Sequence, residues 1–242
     1  MANLHPLLQM TLDKCWVRIC GVSGDTLDYG KSLGPIFEVR PGESSIVTMK
    51  IEGNDPEVTP YASCRCMALS LHTDYATFPE PPRFTITHCR EPDPEFPNKG
   101  QSILLLIEPV LKYLREQEPH LDKIMRTVPV PFRRNAEHDV YHNKDVPWHT
   151  IIDTDDNVRF DRTLIVPALD DSNHPQKTTL IEAILQFEDL CTRIGGRVEF
   201  ALDTDDILII ANRKVVHSRG ECSVRQEKNR LISREVNIVF LT

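Results

Sequence analysis

The chain has 242 residues, of which 40% are hydrophobic, and a formal net charge of -8 with no long block of one sign. That is ample apolar material for a core, in the size range of a single β-rich domain, here read as residues 1–242. The acidic balance argues against duplex DNA or RNA as a partner, because such binders carry a basic patch. The seven scattered cysteines include no CxxC pair, so they read as reduced thiols of a cytoplasmic protein rather than a zinc site.

The N-terminal "MANLHPLLQMTLDKCW" lacks a basic region followed by a long apolar run, so no signal peptide is expected. No stretch is apolar for long enough to suggest a membrane span. "DKCWVRICGVSG" reads as a strand ending in a turn at Gly21 and Gly24, and "IFEVRPG" as a short strand stopped by Pro41 and Gly42. "SSIVTMKIEG" is β-branched and alternating, a strand. "CRCMALSLHTDY" is read as another, with Met67, Leu69 and Leu71 on one face and His72 and Asp74 on the other, since strand side chains alternate. "RFTITHCRE" continues the series.

"SILLLIEPVLKYLREQEPHLDKIM" reads as one or two helices interrupted at Pro109 and Pro119. Residues 129–160 form a loop-rich insert in which "WHTIIDT" and "VRFDR" are candidate short strands. "TTLIEAILQFEDLCTRIGG" is the clearest helix, with Thr178 or Thr179 as N-cap and Gly195 and Gly196 as its stop. Three strand-like runs follow: "VEFAL", "DILIIANRKVVHSR" and "RLISREVNIVFL". Strands at both ends and helices between them predict an α+β fold, mainly β, on an antiparallel core.

His72-Thr73-Asp74 is the feature that calls for chemistry. Alone, an HxD pair is more often two polar residues on the wet face of a strand. His217 at the end of an apolar strand, followed by Arg230 and Arg234, changes the balance. Two histidines and one carboxylate cover one face of an octahedral Fe(II) and leave three positions for a bidentate cosubstrate and O2. A carboxylate-bearing cosubstrate then needs a cation, and the planar fork of arginine matches a carboxylate with two parallel hydrogen bonds.

"LHTDYATFPEPPRFTITHC" together with "DILIIANRKVVHSR…RLISR" resembles the iron(II)/2-oxoglutarate-dependent oxygenases of the taurine dioxygenase and clavaminate synthase group. The likeness covers roughly the last two thirds of the chain. It implies a double-stranded β-helix (jelly-roll) core with flanking helices. It implies His72, Asp74 and His217 as iron ligands, and Arg230 on the distal carboxylate of 2-oxoglutarate. Ser102 in "KGQSILL" would join Arg230 there, and Arg234 would meet the acidic group of the substrate. Fe(II), 2-oxoglutarate and O2 are the implied cofactor and cosubstrates. A small carboxylate-bearing molecule such as a free amino acid is the implied substrate, and hydroxylation of an unactivated carbon the implied reaction. Asp74 favours oxygenation over halogenation, because related halogenases carry glycine or alanine there. Desaturation or cyclisation would use the same triad, and a non-catalytic binding or regulatory protein could keep it.

Other residues have bland and functional readings side by side. His138, His142 and His149 lack zinc spacing and read as loop histidines near the mouth of the site. Trp148 could line the pocket and Arg159 could reach an anionic substrate. Asn212 is read as shaping its strand, and Trp16 as packing.

Overall fold

The computed structural model describes residues 4–39, 44–55, 57, 59, 61–133, 146–228 and 230–242. In chain order the elements are α1 (Pro6–Lys14), β1 (Trp16–Ile19), α2 (Thr26–Leu33), β2 (Val47–Lys50), a 3-10 turn (Ala62–Cys64), β3 (Phe84–Glu91) and β4 (Ser102–Leu106). They continue with α3 (Glu108–Gln117), α4 (Pro119–Thr127), β5 (Val130–Pro131), β6 (Trp148–His149), α5 (Arg162–Asp170) and α6 (Lys177–Ile194). The chain ends with β7 (Gly196–Phe200), β8 (Ile207–Ala211), β9 (Val215–Arg219), β10 (Val224–Glu227), β11 (Arg230–Ser233) and β12 (Glu235–Leu241).

A five-stranded sheet has the order β1-β8-β3-β12-β2, and a three-stranded sheet the order β7-β4-β9. All their pairings are antiparallel. Strands β8 and β9 are consecutive in the chain yet lie in different sheets, and so do β3 and β4. Beyond β9 the small sheet is extended by residues 69–72: Leu69 N–H donates to Arg219 O (2.9 Å), and His72 and His217 exchange both backbone bonds (2.9 Å each). His72 is bridged on its other side to Asp161.

Both faces of β8 are covered, which is why "ILIIA" is a continuous apolar run and not an alternating one. Ile207 and Ile209 pack with Leu8 of α1 and Leu33 of α2. Leu208 and Ile210 point the other way, towards an interior cavity. On the small sheet, Leu105 and Val216 join the core made with α3, α4 and α6. In α6 the buried residues Leu180, Ala183, Ile184, Phe187, Leu190 and Cys191 repeat at helical spacing.

The structure departs from several expectations. Ser102–Leu106 is a strand and not the start of a helix, and Pro109 and Pro119 lie in the first turns of α3 and α4. Proline is tolerated there because its missing N–H has no intrahelical partner in the first turn. The N-cap of α6 is Gln176, leaving Thr178 and Thr179 inside the helix. Three helices were not anticipated: α1 has Pro6 in its first turn, while Asp25 caps α2 and Asp161 caps α5 through their side chains. Of "IFEVRPG" only Ile36 is bridged, to Leu241, and residues 40–43 lie outside the described part. Of "CRCMALSLHTDY" no regular strand forms, and Met67 is 61% exposed. The architecture is a mixed helix and strand fold on antiparallel sheets. No helix among the described residues is long and apolar enough to cross a membrane.

Candidate metal centre

His72 and His217 lie directly opposite each other on neighbouring antiparallel segments. Opposed residues project to the same side of a sheet, so both imidazoles enter the cavity, with ring centroids 4.4 Å apart. Asp74 arrives differently from the expected same-face strand geometry. After His72 the chain leaves the sheet, Thr73 N–H donating to Phe160 O (2.8 Å), and Tyr75 takes a left-handed conformation (φ 53°). The Asp74 carboxylate nonetheless lies beside both histidines. Its oxygens lie 3.8 Å from His72 Nε2 and 3.5 Å from His217 Nε2. One candidate ligand atom from each of the three residues fits within 4.8 Å of the others.

The turn is held by Asn212, fully buried at the end of β8. Its side-chain oxygen accepts from Asp74 N–H (2.8 Å), and its amide donates to Asp74 O and Pro82 O (3.0 Å each). The Thr85 hydroxyl of β3 donates to Asp74 Oδ2 (2.5 Å). Burial pushes the Asp74 carboxyl up, but the His217 charge and hydrogen bond, the His72 charge and Thr85 outweigh it and hold it well below the usual carboxylate range. Burial, then the neighbouring His217, pushes the His72 imidazole down, against the opposing pull of Asp74 and Asp161. His72 Nδ1 lies 2.9 Å from Ser70 O, so Nδ1 carries the proton and Nε2 presents its lone pair inward. His217 Nδ1 is buried with no partner among the described residues. Two imidazoles and one carboxylate converging on a point suit a divalent first-row metal of the Fe(II) type.

The cavity around this cluster has a volume of about 460 Å³. Its walls come from both sheets: Thr85, Leu208, Ile210 and Val236 from one, Ser102, Leu104 and His217 from the other. Arg234 also lines it. The residue is 7% exposed, and its guanidinium has no hydrogen bond or ion pair among the described residues. Its stem packs on Gly100, where a Cβ would meet Arg234 Cδ at 3.0 Å and where φ is +71°. Glycine gives the arginine its room.

Arg230 stands elsewhere. It opens β11, which pairs only with β10, its side chain is 68% exposed, and it forms an ion pair with Glu91 at 2.5 Å. It does not line the cavity. Arg159 does not either: its fork donates to the carbonyls of Ala76 (3.0 Å), Phe78 and Pro79 (2.8 Å), fastening the loop after Asp74. Burial, then the nearby Arg213, pushes Arg159 down to about 10. Trp148 is 45% exposed, with its ring 5.9 Å from that of His174 and away from the cavity. His149 packs beside Phe132, and His138 and His142 lie outside the described residues.

Three cavity residues were missed or undervalued. Arg219, next but one to His217, donates to Ser63 O (2.6 Å), Arg65 O (2.6 Å) and Met67 O (2.7 Å), tying the segment before His72 to β9. Thr85 carries no motif, though it shares a face of its strand with Thr87. Asp161 lies in "VRFDR", expected to be a short strand and not the cap of a helix.

Antiparallel sheets closing on two histidines and a carboxylate are the arrangement of the non-haem Fe(II) oxygenase class. The chain belongs to the taurine catabolism dioxygenase TauD, TfdA family, whose model matches residues 23–234. Dioxygenase str8 of Strobilurus tenacellus is 25% identical over 154 residues, 63% of this chain, but only 35% of that protein is covered. Asparagine oxygenase (AsnO) superposes with a TM-score of 0.69 at 14% identity, covering 97% of this chain and 76% of that one. The non-haem iron oxygenase OrfP, in complex with Fe, succinate and (3S)-hydroxy-L-Arg, gives 0.68 at 14% identity, covering 98% and 79%. These likenesses are of fold. A further asparagine oxygenase structure, in complex with Fe(II), 2S,3S-3-hydroxyasparagine and succinate, is covered over 60% of its length.

Proposed function

We propose that the protein is an Fe(II)/2-oxoglutarate-dependent dioxygenase that hydroxylates an unactivated carbon of a small, amino-acid-like substrate. The observation that carries the reading is one cavity holding both the His72, Asp74 and His217 cluster and the buried Arg234, whose guanidinium has no partner among the described residues. On this reading His72, Asp74 and His217 hold the iron. Arg234 binds the distal carboxylate of 2-oxoglutarate, with the Ser102 hydroxyl as its neighbour, and the role expected of Arg230 passes to it. A buried guanidinium without a counter-ion is unfavourable unless an anion completes it. The related OrfP has been seen in complex with Fe and alpha-ketoglutaric acid, which supports the same cosubstrate here.

When bound, the iron couples oxidative decarboxylation of 2-oxoglutarate by O2, giving succinate and CO2, to insertion of the second oxygen atom into a C–H bond. The chain supplies the rest. Asn212 and Thr85 orient Asp74, Ser70 fixes the His72 tautomer, and the apolar walls exclude water. The two sheets, which divide β3 from β4, β7 from β8 and β8 from β9, are on this reading the halves of a double-stranded β-helix.

Anaerobic addition of Fe(II) and then 2-oxoglutarate tests the proposal. A weak visible charge-transfer band, removed by a chelator and absent in Asp74→Ala and His217→Ala, is expected. Wild-type spectra in either variant, or no band in the wild type, would sink it.

A further inference from the structure

We infer that Asp161 is the substrate-recognising carboxylate of the cavity, holding the ammonium group of a small, amino-acid-like substrate beside the metal centre. The inference rests on the proposed dioxygenase function and deepens it.

The placement follows from sheet register. Leu104 faces His217, His217 faces His72, and His72 faces Asp161. Directly opposed residues of antiparallel strands project to one side, so these four side chains form a single row, and all four line the cavity. Neighbouring strands lie ~4.8 Å apart, so Asp161 sits one strand spacing beyond His72. Its charge is felt at the His72 imidazole. Ser102 is on the far strand of the same row system, and Arg234 packs at Gly100, two residues before it. The carboxylate and the free arginine therefore flank the histidines on opposite sides.

A charge inventory of the described cavity residues leaves Asp161 available. The acidic residues are Asp74 and Asp161, and Asp74 is engaged by His72, His217 and Thr85. Of the arginines, Arg219 spends its donors on carbonyls, and Arg234 lies at the cosubstrate end. Asp161 Oδ1 accepts from Thr163 N–H (2.9 Å) and Thr163 Oγ1 (2.6 Å), which caps α5. Oδ2 has no partner among the described residues, and no cation pairs with it there. The neighbouring walls at Leu69, Ala76 and Leu164 are apolar. A carboxylate on a partly buried residue, beside apolar walls, favours a cationic group and repels an anion.

The test uses the full chain loaded with Fe(II) and 2-oxoglutarate. The probes are L-amino-acid amides spanning the common side chains, each paired with its des-amino amide. Perturbation of the anaerobic visible band and succinate formed in air are the readouts. Amines are expected to shift the band and stimulate succinate formation where their des-amino partners do not. Asp161→Asn, which keeps the Oδ1 acceptor and so the helix cap, should raise the half-saturating amine concentration by about 10- to 100-fold, the range of a charge-assisted hydrogen bond. The KM for 2-oxoglutarate should not follow it. Thr163→Ala, which weakens the cap but keeps the charge, should retain the wild-type amine dependence. Des-amino probes acting equally well, a band indifferent to every amine, or an Asp161→Asn titration matching wild type would each overturn the inference. A wild-type band that forms but ignores amines defeats Asp161 alone, whereas a band that never forms defeats the dioxygenase reading beneath it.

Discussion

Replacing Arg234 by methionine separates a cosubstrate arginine from a structural one. The residue is 7% exposed, and its fork has no partner among the described residues. A hydrogen bond to a charged group contributes about 1.5–3 kcal/mol, and truncating one partner of a buried charge pair costs about 2–5 kcal/mol. Taking ~3 kcal/mol for a bidentate carboxylate contact, the half-saturating 2-oxoglutarate concentration should rise about 100-fold. Isothermal titration of the Fe(II)-loaded protein under anaerobic conditions, or succinate formation against 2-oxoglutarate, reads this directly. Stability without ligand should move the other way. Methionine removes an uncompensated buried charge and keeps most of the stem's packing on Gly100, so the urea midpoint should be equal or higher. Arg230→Met is the control. Its side chain is 68% exposed and paired only with Glu91, and surface pairs are worth at most ~1 kcal/mol, so cosubstrate binding should shift less than about threefold. If Arg230→Met weakens 2-oxoglutarate as Arg234→Met is expected to, or Arg234→Met leaves it within threefold, the assignment fails.

Asn212→Ala should leave Asp74 N–H, Asp74 O and Pro82 O without partners in a fully buried site, for a loss of about 2–4 kcal/mol in urea unfolding. It should also weaken Fe(II) binding because the Asp74 turn relaxes, and unchanged metal affinity would contradict the clamp. A pH dependence follows from His149, which burial, then Arg159, pushes down to about 4. Between the ordinary histidine value of ~6.5 and about 4, the unfolded chain holds a proton that the folded one refuses. This contribution to stability is therefore fully present above pH ~6.5 and is lost as the pH falls towards 4. His149→Phe should flatten the fall in urea midpoint across that window, and an unaltered slope would show that His149 is not its source.

The legible part of the site is the part that chain order encodes. His72 and His217 each lie near an apolar run with a recognisable neighbourhood, and the structure brings them face to face. The strand assumption behind Asp74 misses the mechanism of its placement. Period two would put His72 and Asp74 on one face of a strand, but Asp74 lies in a turn whose backbone is clamped by Asn212 from 138 residues away. Arg230 and Arg234 could not be told apart by periodicity, since four residues is an even number and both would share a strand face. What separates them is a break at Arg234, where the isolated β10–β11 hairpin gives way to β12 in the five-stranded sheet. The register shift between Glu235 and Val236 marks the same irregularity. The strand over Ser102–Leu106 was hidden for a related reason: "SILLL" is buried between a sheet neighbour on each side, and a short apolar run of that kind has no period of its own.

Buried arginines supply a further discrimination that sequence cannot make. Arg159, Arg213 and Arg219 all lose basicity to burial. Each spends its fork on backbone carbonyls of irregular chain: Arg159 on residues 76–79, Arg213 on Pro81, and Arg219 on Ser63, Arg65 and Met67. The proline-rich stretch after Asp74 has few N–H groups of its own, so its carbonyls need outside donors if the loop is to stay buried. A guanidinium with five N–H groups meets that need better than any other side chain. Three arginines are thus bound into irregular chain, and of these Arg219 lines the cavity. Arg234 is buried like Arg219 and has the same five donors, yet no carbonyl or carboxylate of the described chain meets them. On the proposed reading, the guanidinium left without a partner among the described residues is where an anion from outside the chain would bind.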